Sequence, residues 1–292
     1  MKPLYLHLGA HRTGTSSFQM MLAENAALLR GAGYDLAYPG RDDIPGGTLG
    51  LRLPDPRNVD QWEKRFVPNI AAELEGLSAP DSNAMILSEE NIPGRMIHFA
   101  SGTFYPAAEE RLLALSQGAG VPILRAVLVV RAYADLYVSA WRKRAEDHHC
   151  DPFRDSRYNL LHMDRGWPEL AELVLTHLRV QELVVVEYGR RKGSVDLLRL
   201  LVPETVHLPV VEPEQRMNHS ATDAALEALQ AIYARGETLE RAAWQRIVAE
   251  HREDTAPRGL TEYTARQKRI LQGRYARDLE RLAEMPGILF LG

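Results

Sequence analysis

The chain has 292 residues, 45% hydrophobic and 25% charged, with 35 Lys and Arg against 39 Asp and Glu for a formal net charge of −4. Such proportions belong to a folded globular protein and exclude a collagen-like, low-complexity or wholly disordered chain. The near-neutral balance supplies no global field for nucleic acid or an anionic membrane surface, so an anionic ligand needs a local cationic pocket. Cys150 is the single cysteine, which excludes an intrachain disulfide and a cysteine-based zinc site and fits a reducing compartment. The N-terminal apolar run is too short for a signal h-region, and no segment approaches the roughly 18 apolar residues of a membrane span. The expectation is a soluble, cytoplasmic protein with no membrane span and no nucleic-acid partner; self-association is left open.

In chain order, residues 3–8 read as a short buried strand, followed by a glycine-bearing loop over 9–14 and a helix over 15–30 stopped by Gly31 and Gly33. Residues 35–38 form a second short strand. Residues 39–56, rich in Pro, Gly and Asp, read as a long loop of the kind that lines binding sites. A helix over 60–77 leads to a compact strand at 84–88, and a helix over 107–117 precedes the strongest strand, 123–130. Its continuous apolar character fits burial on both faces of a parallel sheet. A helix over 133–146, a polar loop over 147–164, a helix over 167–178, a strand at 183–187 and a helix over 194–201 follow. From Thr222 onward the pattern is almost wholly helical and ends in a charged helix over 263–284. The alternation predicts one α/β domain over residues 1–292, a three-layer fold with a central parallel sheet flanked by helices and a helical C-terminal part from about residue 221.

Ligands of such sheets bind beyond the C-terminal strand ends. Polar residues cluster at four of those ends: Gly9 to Ser16, Ser88 to Glu90, Arg131, and Glu187 to Tyr188. The first has a Gly-x4-Gly frame between strand and helix, where backbone N–H groups and a helix N-terminus make an oxyanion cradle. A nucleoside-triphosphatase loop needs Lys after the second glycine. Here that position is Thr15, and the cation, Arg12, sits inside the loop. Arg131 ends the strongest strand, and Ser139 follows two turns into the next helix, where guanidinium and hydroxyl suit a phosphate monoester. Read structurally, the same residues are a glycine turn, a capping arginine and a helix serine; their coincidence raises the functional reading.

Together these residues resemble the sulfotransferases that use 3′-phosphoadenosine-5′-phosphosulfate (PAPS), in their bacterial-type, P-loop-like form. The stretch His7-Leu8-Gly9-Ala10-His11-Arg12-Thr13-Gly14-Thr15-Ser16 is similar to that family's first signature, with Arg12 for its lysine and Ser16 for its threonine. Arg131 and Ser139 match its second signature, and Leu87-Ser88-Glu89-Glu90 looks like its acidic strand end. Val184 to Tyr188 and Arg216 to Ser220 are weaker features. The resemblance covers about residues 3 to 220. It implies that His11, Arg12, Thr13, Gly14, Thr15 and Ser16 hold the 5′-phosphosulfate and that Arg131 and Ser139 hold the 3′-phosphate, with PAPS as co-substrate and no metal; the acceptor is left open among carbohydrate, lipid-linked sugar, phenolic metabolite and peptide, with a carbohydrate or small metabolite favoured.

Sulfuryl transfer needs positioning, charge stabilisation and a base for the acceptor proton. Glu89 is the expected base and Glu90 ranks second; solvated carboxylates at a strand end are the plain structural reading. Arg12 is a poor proton donor but stabilises charge near the leaving oxygen. The other functional readings are a P-loop kinase, disfavoured by Thr15, and a non-catalytic nucleotide-binding relative, kept open by Arg12. His7 reads as a core histidine. His148-His149-Cys150-Asp151 is too crowded for a chelating site and reads as a loop beside the acceptor, as does 39–56. Arg190 to Gly193 is similar to a basic loop of the family's eukaryotic members that touches the 3′-phosphate, but it comes earlier in the chain; it reads as a solvated turn, with a place facing the nucleotide left open.

Overall fold

A computed structural model describes residues 2–40, 44–214 and 220–292. The first strand, β1 (Leu4–His7), leads into α1 (Thr15–Glu24), α2 (Ala26–Gly31) and β2 (Tyr34–Ala37). After a long connection come α3 (Val67–Gly76), β3 (Ala84–Ser88), α4 (Ala108–Ala119) and β4 (Ile123–Val130). The chain continues through α5 (Tyr133–Ala145), α6 (Phe153–Leu161), α7 (Trp167–Leu173), β5 (Glu182–Glu187) and α8 (Ser194–Leu201). It closes with α9 (Asp223–Tyr233), α10 (Arg241–Glu250), α11 (Ala265–Glu284) and β6 (Ile288–Leu291).

All six strands are parallel, in the order β2-β3-β1-β4-β5-β6. Strand alternation divides the core. Leu4 and Leu6 of β1, Ala126 and Leu128 of β4 and Leu183 of β5 face α3, α4, α5, α7 and α11. Tyr5, Val127, Val129 and Val184 face Phe18 and Met21 of α1 and Leu197 and Leu198 of α8. Each central strand is thus apolar on both faces, as a covered parallel sheet requires. The chain leaves β1 toward β2 and β4 toward β5, so the direction of winding reverses between neighbouring strands. A crevice opens at such a switch point, beyond the carboxyl ends of the strands.

Four sequence expectations change. The helix over 15–30 is broken at Asn25, whose side chain donates to the Met21 and Val211 carbonyls (2.8 and 2.9 Å) and ties the helix end to a distant segment. The helix over 60–77 is regular only from Val67, because Pro68 lacks the N–H that would close the preceding turn; Trp62–Phe66 is wound more loosely, as a π-helix. The polar loop over 147–164 contains α6, fixed by buried Phe153, whose ring lies 5.1 Å from Tyr263. The C-terminal part is not wholly helical: Gly287, with φ of 84°, turns the chain so that β6 pairs with β5. Among the described residues no helix is long and apolar enough to cross a membrane.

Candidate functional site

The segment after β1 crowds left-handed backbone into six residues: Gly9 (φ 72°), Ala10 (47°), Arg12 (65°) and Gly14 (91°). Glycine is needed at Gly9 because a Cβ there would stand 2.6 Å from the Cα of Glu90. Ala10 and Arg12 have no such exemption, and positive φ at non-glycine residues costs on the order of 1–3 kcal/mol each. The Thr13 hydroxyl holds the turn by donating to the carbonyls of Gly9 and Ala10. Backbone of this kind gathers N–H groups into an anion-binding concavity. It feeds directly into the N-terminus of α1, which has no side-chain cap and no acidic residue in its first turn. The first N–H groups of a helix lack intrahelical partners and carry its positive dipole end.

Around this turn lies a cavity of about 230 Å³ whose wall includes Arg12, Gly14, Thr15, Ser16 and Ser17 from the loop and α1, Glu90 from the end of β3, Arg131 and Ser139 from β4 and α5, Tyr188 and Arg191 from the end of β5, and Ser220. Arg12 Nε donates to Ser139 Oγ (2.8 Å), and Arg131 Nη1 donates to the Arg12 carbonyl (2.7 Å). The Arg131 guanidinium rests on the Tyr188 ring, 4.8 Å from its centroid, and its own carbonyl accepts from Trp167 Nε1 (2.9 Å). Arg191 reaches in from the far side. Its Nη1 donates to the Thr13 carbonyl (3.0 Å), its Nη2 to Ser194 Oγ (2.9 Å), and a Cβ at Gly14 would overlap it.

Three guanidinium groups therefore converge on one strained turn. Desolvation lowers the Arg12 pKa, with Glu146 and Glu90 opposing and Arg131 adding to the shift. Desolvation lowers that of Arg191 as well. Behind the turn, His7 is buried in the sheet, its Nδ1 2.8 Å from Ser88 Oγ, and burial followed by the Arg191 charge holds its pKa down at about 3. It is the core histidine expected from sequence. Among the described residues, three buried polar atoms around the cavity have no hydrogen-bond partner: Thr15 Oγ1, Arg131 Nε and Arg191 Nε. Leaving such atoms unmatched costs about 1–3 kcal/mol each, so a site that keeps them is built for a ligand that accepts hydrogen bonds.

The structure brings Arg12, Gly14, Thr15, Ser16, Arg131 and Ser139 together as the sequence implied. Thr13 is present through its backbone only, since its hydroxyl is spent on the turn. His11 is displaced to a neighbouring cavity: its Nε2 lies 3.1 Å from the Gly94 carbonyl and its Nδ1 3.8 Å from Glu90. Glu89 is buried off the cavity wall, with Oε1 accepting from the Asn91 backbone N–H (2.8 Å) and side-chain amide (2.7 Å). The carboxylate on the wall is that of Glu90. Arg191 belongs to the 190–193 turn, which reads from the sequence as solvated with a place facing the nucleotide left open; it is not among the expected site residues. The available signal was its position in the short connection between the end of β5 and the start of α8.

Residues 216–219, part of a weaker signature, lie outside the described residues. The described part of 39–56 is packed down rather than placed at the site. Leu49 is buried, Tyr38 donates to the Pro45 carbonyl (3.0 Å), and Arg111 donates to the Pro54 carbonyl. None of it lines the anion cavity or the two cavities beside it. The segment 148–151 is held by Gln230, which bonds the Cys150 N–H and the His148 carbonyl (2.8 and 2.7 Å). Among the described residues no group of three or more His, Cys, Asp or Glu is placed to hold a metal ion.

No family model, curated protein or solved structure matches this chain.

Proposed function

We propose that this protein is a PAPS-dependent sulfotransferase of P-loop type, moving a sulfuryl group to a hydroxyl or amine acceptor. The observation that carries the proposal is the convergence of Arg12, Arg131 and Arg191, with three unmatched buried polar atoms, on an uncapped helix start at the switch point of the sheet. A mononucleotide diphosphate loop would place Lys where Thr15 stands. A ligand with two separate anionic ends explains why cations come from both sides of the turn. The strand order, with the phosphate loop after a central β1, supports the P-loop assignment.

The co-substrate supplies an activated sulfuryl group whose transfer leaves charge on a phosphate oxygen. Everything else falls to this chain. The backbone of Gly14, Thr15 and Ser16 and the Thr15 hydroxyl bind the 5′ end. Arg131 and Ser139 bind the 3′-phosphate; Ser139, already bonded to Arg12, couples the two ends. Arg12 remains charged when desolvated and stabilises the leaving oxygen electrostatically rather than by giving up a proton. We assign the base to Glu90 in place of Glu89, because Glu90 is the carboxylate that lines the cavity and has His11 beside it. Glu89 keeps the β3 end in shape through Asn91.

The test is calorimetry in EDTA with 3′-phosphoadenosine-5′-phosphate and with AMP. The bisphosphate is expected to bind much more tightly. Equal affinities would remove the 3′-phosphate assignment. Labelled PAPS with a panel of hydroxyl acceptors then measures transfer.

A further inference from the structure

Two smaller cavities lead away from the anion site. The nearer, about 190 Å³, is walled by His11, Asn91, Arg95, Lys143, Arg144 and Asp147. It adjoins the anion cavity through the 3.8 Å approach of His11 Nδ1 to Glu90. The farther, about 210 Å³, is walled by Met96, Phe99, Tyr137, Trp141, Phe153 and Leu160. Met96, Ile97 and Arg144 line both, so the three spaces follow one another.

The charges along this path are unequally matched. Lys143 is paired with Glu146 (2.6 Å) and Asp147 with His148 (2.5 Å). Exposed Asp151 stands at the edge of the aromatic cavity, its carbonyl accepting from Trp141 Nε1. The guanidinium groups of Arg95 and half-buried Arg144 have no hydrogen-bond or ion-pair partner among the described residues. A guanidinium fork between an aromatic cavity and a path to a carboxylate recognises an anion fixed to an apolar group. The aromatic cavity is below the roughly 300–1,000 Å³ of pockets for drug-sized ligands, which limits the apolar part to one ring or a short chain.

We propose that the acceptor is a compact amphiphilic carboxylic acid. Its ring or chain fills the aromatic cavity, its carboxylate lies on Arg144 with Arg95 beside it, and its hydroxyl or amine extends past His11 to Glu90. This rests on the sulfuryl-transfer reading for the reaction, but the binding claim stands apart from it. In the transfer, the acceptor oxygen or nitrogen forms its bond to sulfur and gives its proton to Glu90. The bond from sulfur to the bridging oxygen breaks, and its electron pair leaves on the 5′-phosphate.

The probes are 3-phenyllactate, its uncharged amide, and lactate, which lacks the ring. Calorimetry on the full chain gives affinities, and alkylation of Cys150 reports position, because this only cysteine lines the aromatic cavity. Burial raises its thiol to about 11, so modification is slow and easily followed. Phenyllactate is expected to bind about tenfold or more tightly than either comparator and to slow the alkylation. Arg144→Gln should abolish the preference for acid over amide while amide binding persists. Ala140→Leu, which fills the cavity from α5, should abolish protection of Cys150. Should that variant misfold by circular dichroism, protection in the native chain and the Arg144→Gln comparison decide. Equal binding of acid and amide, no protection at saturation, or an intact preference in Arg144→Gln overturns the proposal. Bisphosphate affinity is measured on the same samples. Acid selectivity without bisphosphate binding supports this site and refutes the sulfuryl-transfer reading; bisphosphate binding without acid selectivity refutes this site alone.

Discussion

Two buried polar clusters flank the α5 start, and they are built on opposite plans. In one, Tyr133 donates to Asp278 (2.5 Å) and accepts from the Trp167 N–H (2.9 Å), while Asp278 also faces Arg274 and Arg281 (3.9 and 3.7 Å). Arg281 continues to Glu169 (2.7 Å), which accepts from the Gly166 N–H (2.7 Å). Donors and acceptors meet, and the result pins α11 and α7 to α5. In the other, around Arg12, Arg131 and Arg191, cations outnumber carboxylates, the backbone is strained, and three buried polar atoms lack partners. Both carry charge around a buried centre, so burial and charge do not separate architecture from function here. The separation comes from satisfaction: a cluster that closes on itself is structural, and one left open awaits a ligand.

The sharpest way to break this comparison is at Glu90. Glu90→Gln should lower single-turnover transfer by about 10²–10⁴ while bisphosphate affinity holds. Glu89→Gln should lower thermal stability with transfer largely kept. The reverse pattern would return the base to Glu89. Next, Arg131→Ala should weaken bisphosphate binding by about 2–5 kcal/mol, read by calorimetry, and remove the rise in Tm that the ligand produces in the native chain.

In the closed cluster the effect should fall on stability alone. Tyr133→Phe leaves Asp278 and the Trp167 N–H without the bridging hydroxyl and should cost about 1–3 kcal/mol in urea unfolding, with bisphosphate affinity unchanged. A loss of affinity there would erase the distinction between the clusters.

The pH dependence isolates the floor of the open cluster. Because the His7 pKa is held at about 3 in the folded chain, the unfolded chain binds the extra proton between there and the ordinary histidine value of about 6.5. Stability should therefore fall as pH drops through that window, with this residue contributing up to about 1.4 kcal/mol per unit. His7→Gln should flatten the slope in urea titrations at stepped pH; an unchanged slope would show that other groups set it. The smallest expected effect is Thr15→Val. Replacing an unmatched buried hydroxyl by a methyl should leave apo stability within about 0.5 kcal/mol of native or raise it, yet weaken the bisphosphate. Clear destabilisation of the apo protein would mean that the hydroxyl is already satisfied.

The alternation of strands and helices through α8 was legible because each central strand is apolar on both faces, a pattern visible in one dimension. So was the glycine turn after β1, whose Gly9 and Gly14 mark positions of positive φ. Less of the site's detail was legible. Glu89 and Glu90 differ only in which way each side chain turns at the end of β3, and the Asn91 N–H that captures Glu89 decides it. Arg191 belongs to a charged run indistinguishable by composition from a surface turn. The strand β6 is four residues after a helix and gains its identity only from pairing with β5.

The sequence by itself determined the covered parallel sheet, the placement of a glycine turn at the end of β1, and the candidates Arg12, Arg131 and Ser139, because periodicity, glycine spacing and strand ends are local properties. Only the tertiary structure decided that Ser139 bonds Arg12, that Arg191 closes over Gly14, that Glu90 faces the cavity, and that Arg144 stands between a basic path and an aromatic cavity. Those relations join residues up to 178 positions apart, as in the bond from Arg191 to the Thr13 carbonyl. Partners so distant are set by strand order and helix packing, and no local pattern encodes them.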